Sequence, residues 1–229
     1  MTIGIIGAMD EEVALLLENM NNKEEHTIAN CLFVTGTLSD KAVVLLKSGI
    51  GKVNAAMATT IMHERFSPTH VINTGSAGGF SNSLEVGDVV ISSQVVHHDV
   101  DVTAFDYAYG QVPGLPAMYA ADTELITKAI TAIKTLDVQY EEGIIATGDS
   151  FMDKPDHVSF VNEKFPSMIA AEMEAAAVAQ VCYQYNKPFV IIRALSDIAG
   201  KQSSVTFDQF LEKAAKNAAQ LIITMLKAL

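Results

Sequence analysis

Four carboxylates stand directly after short apolar runs, at positions where buried strands would end. They are Glu12 in GAMDEE, Glu172 and Glu174 in AAEMEA, and Asp197 at the end of RALSD. Carboxylates held at fixed positions can divide acid and base work, because one donates a proton while another activates water. Glycine and serine are common at these strand ends and let backbone amides approach a ligand closely. The pattern predicts acid–base chemistry on a polyol or a base.

Strand and helix patterns alternate along the whole chain and would position these carboxylates. Strands are predicted at residues 3–7, 31–38, 42–49, 69–75, 88–102, 140–149 and 187–197, helices at 11–20, 52–65, 121–135 and 206–229, and an extended start that becomes helical at 168–185. We therefore expect one α/β domain, residues 1–229, with a central, mixed and largely parallel β-sheet flanked by helices. Ligands of such sheets bind beyond the carboxyl ends of the strands.

Several local features are predicted within this framework. Asp10 is the expected N-cap of the first helix. The runs 31–38 and 42–49 are expected to pair antiparallel across Ser39 and Asp40, and the long run 88–102 to bend near His97 and His98. Residues 103–118 hold two prolines and three aromatic residues, a composition that favours an irregular loop.

Composition limits the possible functions. The chain has 229 residues, of which 49% are hydrophobic and 18% charged, which favours a folded core over disorder. Its formal net charge of −12 argues against nucleic acid or an anionic membrane surface as a partner. The N-terminal MTIGIIGAMDEE has no basic region typical of a signal peptide, no apolar run is long enough to cross a bilayer, and Cys31 and Cys182 are expected to be buried thiols. A cytoplasmic protein is predicted.

Other motifs have simpler interpretations. SGIGK lacks the spacing of a nucleotide-triphosphate loop, and Asp10 and Glu11 suit the start of a helix, where the dipole favours acids. His97 and His98 lie near acidic residues, but alternate strand residues face opposite sides and no partner has metal-ligand spacing. No metal site is predicted.

Eight motifs, in order along the chain, resemble the methylthioadenosine/S-adenosylhomocysteine nucleosidases of the nucleoside phosphorylase superfamily. They are GIIGAMDEEV, SGIGKVNAA, NTGSAGG, VGDVVIS, DVTAFDYAYGQVPG, TGDSF, AEMEAAAVAQ and RALSD. The similarity runs from about residue 2 to the C-terminus. It implies a nucleoside phosphorylase-like fold, hydrolysis of the N-glycosidic bond of 5′-thioadenosines to adenine and a thioribose, a homodimer, and no cofactor.

The resemblance also implies roles for individual residues. Glu12 would orient and deprotonate the attacking water. Asp197, helped by Ser196, would deliver a proton to N7 of adenine. Glu174 would accept a hydrogen bond from a ribose hydroxyl, and Met173 would lie against the sugar.

The remaining substrate contacts implied by the resemblance fall into groups. Phe151 would stack on adenine, the Met152 backbone would bond the edge of the base, and Ser76 and Gly78 would lie beneath sugar and base. The pocket for the alkylthio tail would consist of Met9, Ile50, Val102, Phe105 and Phe207, with Tyr107 and Pro113 reaching in from the partner subunit of the homodimer. Glu172 is a further expected site carboxylate, and Arg193 is expected to pair with a site carboxylate and hold it in place.

Arginine content decides between water and phosphate as the nucleophile. The chain has only two arginines, Arg65 and Arg193. A phosphorylase of this superfamily would be expected to carry arginines in the first strand turn and just before GSAGG, where this chain reads AMDEE and INTGSAG. Acids in that corner repel a phosphate dianion, so hydrolysis is favoured.

Three alternatives remain open from the sequence. One is a purine nucleoside phosphorylase, and another is a nucleosidase acting on futalosine, which the apolar tail residues disfavour as the exclusive activity. The third is a non-catalytic nucleoside-binding protein on the same fold, which the presence of Glu12, Glu174 and Asp197 disfavours.

Overall fold

A computed structural model describes residues 1–201 and 203–229, apart from the side chains of residues 203–205. The strands are β1 (Thr2–Gly7), β2 (Asn21–Ile28), β3 (Cys31–Leu38), β4 (Lys41–Lys47), β5 (His70–Gly79), β6 (Val89–His97), β7 (Tyr119–Ala120), β8 (Tyr140–Thr147), β9 (Met168–Glu172) and β10 (Phe189–Ile198). The α-helices are α1 (Asp10–Asn19), α2 (Lys52–Phe66), α3 (Thr123–Ile133), α4 (Pro155–Lys164), α5 (Ala175–Gln184) and α6 (Ser203–Leu226), and Thr103–Phe105 forms a 3₁₀ turn.

The strands form one mixed sheet that closes on itself over part of its width. β5 pairs with β1 and β10 in parallel and with β9 antiparallel. The ring continues from β9 through β8 and β6 back to β10. From β5 the sheet also extends through β1, β4, β3 and β2. Helices pack against it, with α6 against β5 and β10, and this confirms the predicted α/β fold.

The central strands are apolar because helices cover them. All of β5 from Val71 to Ala77 is buried, as is β10 from Phe189 to Asp197. Strands covered on both faces are continuous hydrophobic runs rather than alternating patterns, which is why their sequences revealed them. No helix within the described residues is long and apolar enough to cross a membrane.

The predicted hairpin of β3 and β4 is confirmed. The two strands pair antiparallel from Leu32 opposite Lys47 to Leu38 opposite Lys41. Ser39 and Asp40, which connect them, have φ of 50° and 62°. Positive φ at both central residues matches the right-handed twist of the flanking strands.

The predicted cap of α1 is wrong. Met9 is the N-cap, and Asp10 is already the first helical residue. The Asp10 carboxylate instead accepts from Nζ of Lys47 at 2.7 Å. The Glu12 side chain reaches back to accept from the Met9 backbone N–H at 3.3 Å, so an acid inside the first turn bonds the amide of the N-cap residue.

The short strand β7 was not predicted, and neither were β2 and α4, which both face solvent. β2 has the polar sequence NNKEEHTI and no fully buried residue. α4 buries only Val161 within the sequence PDHVSFVNEK. Hydrophobic periodicity indicates an element only where one face enters the core. The long run 88–102 does bend near His97 and His98, as predicted, but the strand ends at His97.

Candidate active site

A cavity of about 320 Å³ lies at the carboxyl ends of the strands. Its walls include thirteen residues that the sequence predicted, namely Met9, Glu12, Ile50, Ser76, Gly78, Phe151, Met152, Glu172, Met173, Glu174, Ser196, Asp197 and Phe207. The turn after β1, the loop before α2, the ends of β5, β9 and β10, the loop after β8 and the start of α6 all contribute. The carboxyl-end rule therefore locates the cavity correctly.

Glu12 is almost fully buried, and four donors hold its carboxylate. Oε2 accepts from the backbone N–H of Ala8 at 2.8 Å and of Met9 at 3.3 Å. Oε1 accepts from the Ser76 N–H at 2.9 Å and the Ser76 hydroxyl at 3.1 Å. Nη1 of Arg193 lies 4.0 Å from Oε1. All these groups are donors or cations, which suits a carboxylate acting as an acceptor.

Gly75 makes this arrangement possible. Its φ is 148°, within the region that side chains other than glycine rarely adopt. A Cβ at this position would lie 2.5 Å from Oε1 of Glu12 and would also collide with the Arg193 guanidinium. The glycine before Ser76 therefore leaves room for the ion cluster behind the cavity.

Arg193 is fully buried behind the cavity wall and joins several strand ends. Nη1 donates to the Thr74 carbonyl at 3.1 Å, and Nη2 donates to Oδ1 of Asn73 at 2.9 Å. Nη2 also forms ion pairs with Glu172 and, at 3.4 Å, with Glu174. Burial alone would lower the pKa of Arg193, but these carboxylates raise it above its ordinary value. Pairing with site carboxylates is the function expected for this arginine from the sequence.

Glu172 fixes the start of α5. Its Oε2 accepts from the N–H groups of Glu174 at 2.9 Å and Ala175 at 2.8 Å, and its Oε1 accepts from the Thr147 hydroxyl. Thr147 in turn accepts from the Ala176 N–H at 2.8 Å. A carboxylate at a helix N-terminus satisfies amides that have no partner within the helix. Glu172 therefore orients the residues that follow it.

Glu174 is buried among like charges. Oε1 accepts from the Gly51 N–H at 2.8 Å. Burial and the charges of Glu172 and Glu12 raise the pKa of Glu174 to about 8, although Arg193 and the Gly51 amide act in the opposite direction. A carboxyl group with such a pKa exchanges its proton near neutral pH, as acid–base groups in enzymes do.

Asp197 lines the cavity at a bulge in β10. The strand register against β5 shifts between Leu195 and Asp197, which places Asp197 opposite Gly78. The Ser196 hydroxyl donates to Oδ1 of Asp197 at 2.9 Å. A Cβ on Gly78 would lie 3.2 Å from Oδ2, so this glycine permits the close approach of the carboxyl group. Bulges commonly redirect a side chain beside an active site.

Aromatic and thioether side chains form the other wall. The rings of Phe151 and Phe207 meet edge to face at 5.8 Å between centroids. Phe151 is 40% exposed, which leaves ring surface that a planar ligand would cover. Met152 is buried, and its carbonyl accepts from the Gly200 N–H at 3.1 Å.

Five predicted residues lie outside the cavity walls of the single chain. Arg193 lies behind them, as described. The others, Val102, Phe105, Tyr107 and Pro113, belong to the loop that follows β6. Phe105 is 74% exposed, so the tail pocket is not completed by this loop within one chain.

Five wall residues were missed by the sequence reasoning. Ala8, Ala77, Ser150, Ala171 and Asp208 also line the cavity. The first four lie inside or next to the strand-end motifs. The sequence therefore indicated that they would be near the site, but not that they would line the cavity. Asp208 adjoins Phe207, and no sequence signal distinguishes it from the other acids of α6.

The histidines of the HHD segment are separate from this wall. Nε2 of His97 bonds Oε1 of Gln180 at 3.0 Å, and the ring of His98 lies edge to face with His157 at 5.9 Å. Burial lowers the pKa of both His97 and His98. No group of three or more His, Cys, Asp or Glu side chains in the described ranges is arranged to hold a metal ion.

The arrangement brings three carboxyl groups to one cavity from different elements. Glu12 belongs to α1, Glu174 directly precedes α5, and Asp197 lies near the end of β10. A carboxylate acceptor can draw a proton from water while a carboxylic acid donates one to a leaving group. Five acids and no lysine or arginine occur among the described wall residues, so a ligand that develops positive charge is favoured over an anion.

Comparisons with known proteins agree with this geometry. The model of the phosphorylase superfamily matches residues 2–227. A 5′-methylthioadenosine/S-adenosylhomocysteine nucleosidase of Oceanobacillus iheyensis is 66% identical over 227 residues, which is 99% of each chain. The crystal structure of a nucleosidase of the same name from Neisseria meningitidis, in complex with methylthio-immucillin-A, is 48% identical with a TM-score of 0.98, covering 100% of this chain and 99% of that one.

A futalosine hydrolase is also similar in structure. The Helicobacter pylori enzyme is 33% identical with a TM-score of 0.94, over 100% of this chain and 98% of that one. Its identity is half that of the Oceanobacillus nucleosidase, whose sequence matches this chain from end to end. The chain therefore belongs to the phosphorylase superfamily and, within it, to the 5′-methylthioadenosine/S-adenosylhomocysteine nucleosidases.

Proposed function

We propose that the protein, as one nucleosidase domain, hydrolyses the N-glycosidic bond of 5′-methylthioadenosine and S-adenosylhomocysteine, releasing adenine and the corresponding thioribose. The observation that carries this proposal is the charge of the cavity wall. Glu12, Glu174 and Asp197 line one cavity, and no lysine or arginine stands among its described wall residues. The family of the chain supports the same substrates.

The proposed catalytic step gives the carboxyl groups of the cavity separate roles. Asp197, in its protonated form, gives its proton to N7 of adenine as the bond between N9 and C1′ breaks, so that the base leaves as a neutral molecule. Water attacks C1′ from the other side and passes a proton to Glu12. Between these events the sugar acquires positive charge, which the surrounding carboxylates stabilise in a closed site.

Glu12 has a defined place for this water. Its four acceptor positions are occupied, two by the amides of Ala8 and Met9 and two by Ser76. Only the Ser76 hydroxyl can rotate away without movement of the backbone. Water activated by Glu12 would take the place of that hydroxyl.

The rest of the cavity suits the proposed substrate. Phe151 stacks on adenine and Met152 bonds its edge through the main chain. Glu174 contacts a ribose hydroxyl, with Met173 beside the sugar. Met9, Ile50 and Phe207 form an apolar surface for the methylthio group, and burial of such a group stabilises binding by about 0.8 kcal/mol per carbon.

We also propose a homodimer in which Tyr107 and Pro113 complete the tail pocket of the partner subunit. Their loop does not line the cavity of its own chain, and Phe105 within it is 74% exposed. Near the cavity mouth, Ile50 is 49% and Val53 78% exposed. A run of exposed apolar side chains typically marks a protein interface.

A cytoplasmic location is proposed on the state of the cysteines. Cys31 and Cys182 are both buried free thiols. Free thiols persist in reducing compartments, whereas secreted proteins commonly pair them. Reduced cysteines in protein purified from its native host would agree with this location, and an intermolecular disulfide would contradict it.

Phosphate will not be needed for the reaction. Adenine release from methylthioadenosine in phosphate-free buffer should proceed at the same rate after phosphate is added, because the cavity wall offers no cation to bind it. Chromatography and mass spectrometry should identify free methylthioribose as the second product. A phosphate-dependent rate that yields a sugar 1-phosphate would identify a phosphorylase instead, and cleavage of futalosine alone would identify the other nucleosidase activity.

Glu12→Gln and Asp197→Asn should each lower kcat by about 10²–10⁴-fold, the usual contribution of a general acid or base. Binding of a non-cleavable substrate analogue, measured by calorimetry, should change far less. Glu11→Gln is the matched control, because Glu11 is an exposed neighbour on α1 and outside the cavity wall. If affinity fell in parallel with rate, the two carboxyl groups would be binding groups only.

Glu174→Gln should stabilise the free protein at pH 8. The pKa of Glu174 is raised from 4.5 to about 8, so its neutral form is favoured in the folded state. Its contribution to the free energy of unfolding is therefore fully present below about pH 4.5 and is lost as pH rises to about 8. Thermal unfolding of the parent and the variant should differ little at pH 5, and the variant should melt several degrees higher at pH 8. Parallel curves at all pH values would contradict a buried group with a raised pKa.

Val53→Asp should weaken the homodimer and lower kcat/KM. The substitution places a charge on the exposed apolar face of α2, and separation of the subunits removes Tyr107 from the partner's site. Light scattering and steady-state kinetics over a range of protein concentrations measure both effects. Thr127→Asp on the exposed face of α3 is the control. A fully active monomer would refute the shared site.

A further inference from the structure

Three charged residues that lie outside the cavity wall join two of its loops. Lys52 ends the SGIGK segment and is the first residue of α2, Asp99 follows β6, and Asp149 belongs to the TGDSF segment after β8. None of the three lines the cavity. Their motifs were prominent in the sequence, yet the proposed reaction gives these residues no role.

The three residues form a closed ring of hydrogen bonds. Oδ1 of Asp149 accepts from the Lys52 backbone N–H at 2.8 Å. The backbone N–H of Asp149 donates to Oδ2 of Asp99 at 3.0 Å. Oδ1 of Asp99 accepts from Nζ of Lys52 at 2.5 Å. Each residue therefore contacts both others, although they come from three separate segments.

The ring lies at the protein surface, with Asp149 exposed and the side chains of Lys52 and Asp99 partly covered. The side chains of Lys52 and Asp99 are 20% and 29% exposed. Burial alone would raise the pKa of Asp99, but the hydrogen bonds from Lys52 and Asp149 lower it below its ordinary value. These hydrogen bonds therefore favour the charged form of Asp99 in the folded state.

The ring supplies the cap that α2 lacks. The N-cap residue is Gly51, which has no side chain to accept from the first turn. Asp149 provides that acceptor from another loop, at the positive end of the helix dipole. A Cβ on Gly51 would lie 3.1 Å from Oδ1 of Asp149, so the glycine allows this close approach.

The capped turn leads directly to the catalytic carboxylates. The Gly51 N–H, one residue before Lys52, donates to Oε1 of Glu174 at 2.8 Å. On the other side of the ring, Asp149 precedes Ser150 and Phe151 in the cavity wall. A shift of the ring would therefore move a hydrogen-bond donor of Glu174 and the loop that carries Phe151.

We propose that Asp149, held by Asp99 and Lys52, is a positioning residue that keeps the Gly51 N–H directed at Glu174 and so fixes the orientation of that carboxyl group during the reaction. This inference rests on the proposed nucleosidase function, because the rate that Asp149 affects is the rate of the proposed hydrolysis. The simpler alternative is that Asp149 is only a helix cap, which would affect stability without acting on Glu174.

Asp149→Ala should reduce kcat for methylthioadenosine by about 10-fold or more. Without Asp149, the Gly51 N–H no longer holds Glu174 in its orientation, and loss of orientation slows a reaction. Asp149→Asn should restore most of this loss, since the amide oxygen can still accept from the Lys52 N–H. Asp156→Ala is the matched control, because Asp156 is an exposed acid in the first turn of α4 and lies outside the cavity wall.

A double-mutant cycle separates positioning from capping. In a Glu174→Gln background, Asp149→Ala should cause little further loss of kcat, because the carboxylate through which it acts is already absent. Equal losses in both backgrounds, or a lower Tm with unchanged kcat, would overturn the proposal.

A measurement without substrate keeps the test independent of the proposed activity. Loss of the Gly51 hydrogen bond should raise the pKa of Glu174 further, so the decline of the free energy of unfolding with pH should extend to higher pH in Asp149→Ala than in the parent. The charged groups facing Glu174 are Glu172, Glu12 and Arg193, which stay unchanged. His97 and His98, which face the ring, are present in both proteins. An identical pH dependence in both proteins would refute the link to Glu174, whereas a parent that failed to cleave methylthioadenosine would refute the nucleosidase proposal alone.

Discussion

One buried guanidinium determines how this site is built. Arg193 is fully enclosed and connects the carbonyl and amide groups of β5 with Glu172 and Glu174, while Glu12 lies within 4.0 Å. A charge in this position is tolerable only when paired and hydrogen-bonded, and loss of either partner leaves an uncompensated charge in the interior. Gly75 leaves room for this group, and the buried side chains of Asn73 and Glu172 accept its hydrogen bonds.

Three carboxylates surround a single arginine, so this cluster has an excess of negative charge. The excess favours the proposed reaction. Burial, together with the negative charges of Glu172 and Glu12, raises the pKa of Glu174 to about 8. A sugar that becomes positively charged relieves the same repulsion, because it supplies the missing cation at the cavity. The free protein is thus less stable than a neutral core would be, while the transition state is favoured. Active sites commonly show this opposition between stability and activity.

Sequence reasoning located the parts of the fold and site that depend on local pattern. β5 and β10 were visible as continuous apolar runs, and Glu12 or Asp197 as acids at strand ends. β2 and α4 were not visible, since their polar residues face solvent. The capping of α1 by Glu12 and of α2 by Asp149 depends on contacts that no local pattern contains. Asp149 lies 97 positions from Lys52, so only the folded chain could reveal that connection.

The position of charged groups is more informative here than their number. From the sequence, a scarcity of arginine favoured water over phosphate, yet a single arginine could have bound phosphate had it faced the cavity. Arg193 instead lies buried behind the cavity wall, and its Nη1 and Nη2 groups are engaged with Thr74, Asn73 and the glutamates. This cation therefore pairs with the carboxylates instead of lining the cavity. A cavity with its acids facing the ligand and its arginine behind them is suited to a neutral nucleophile and a cationic transition state.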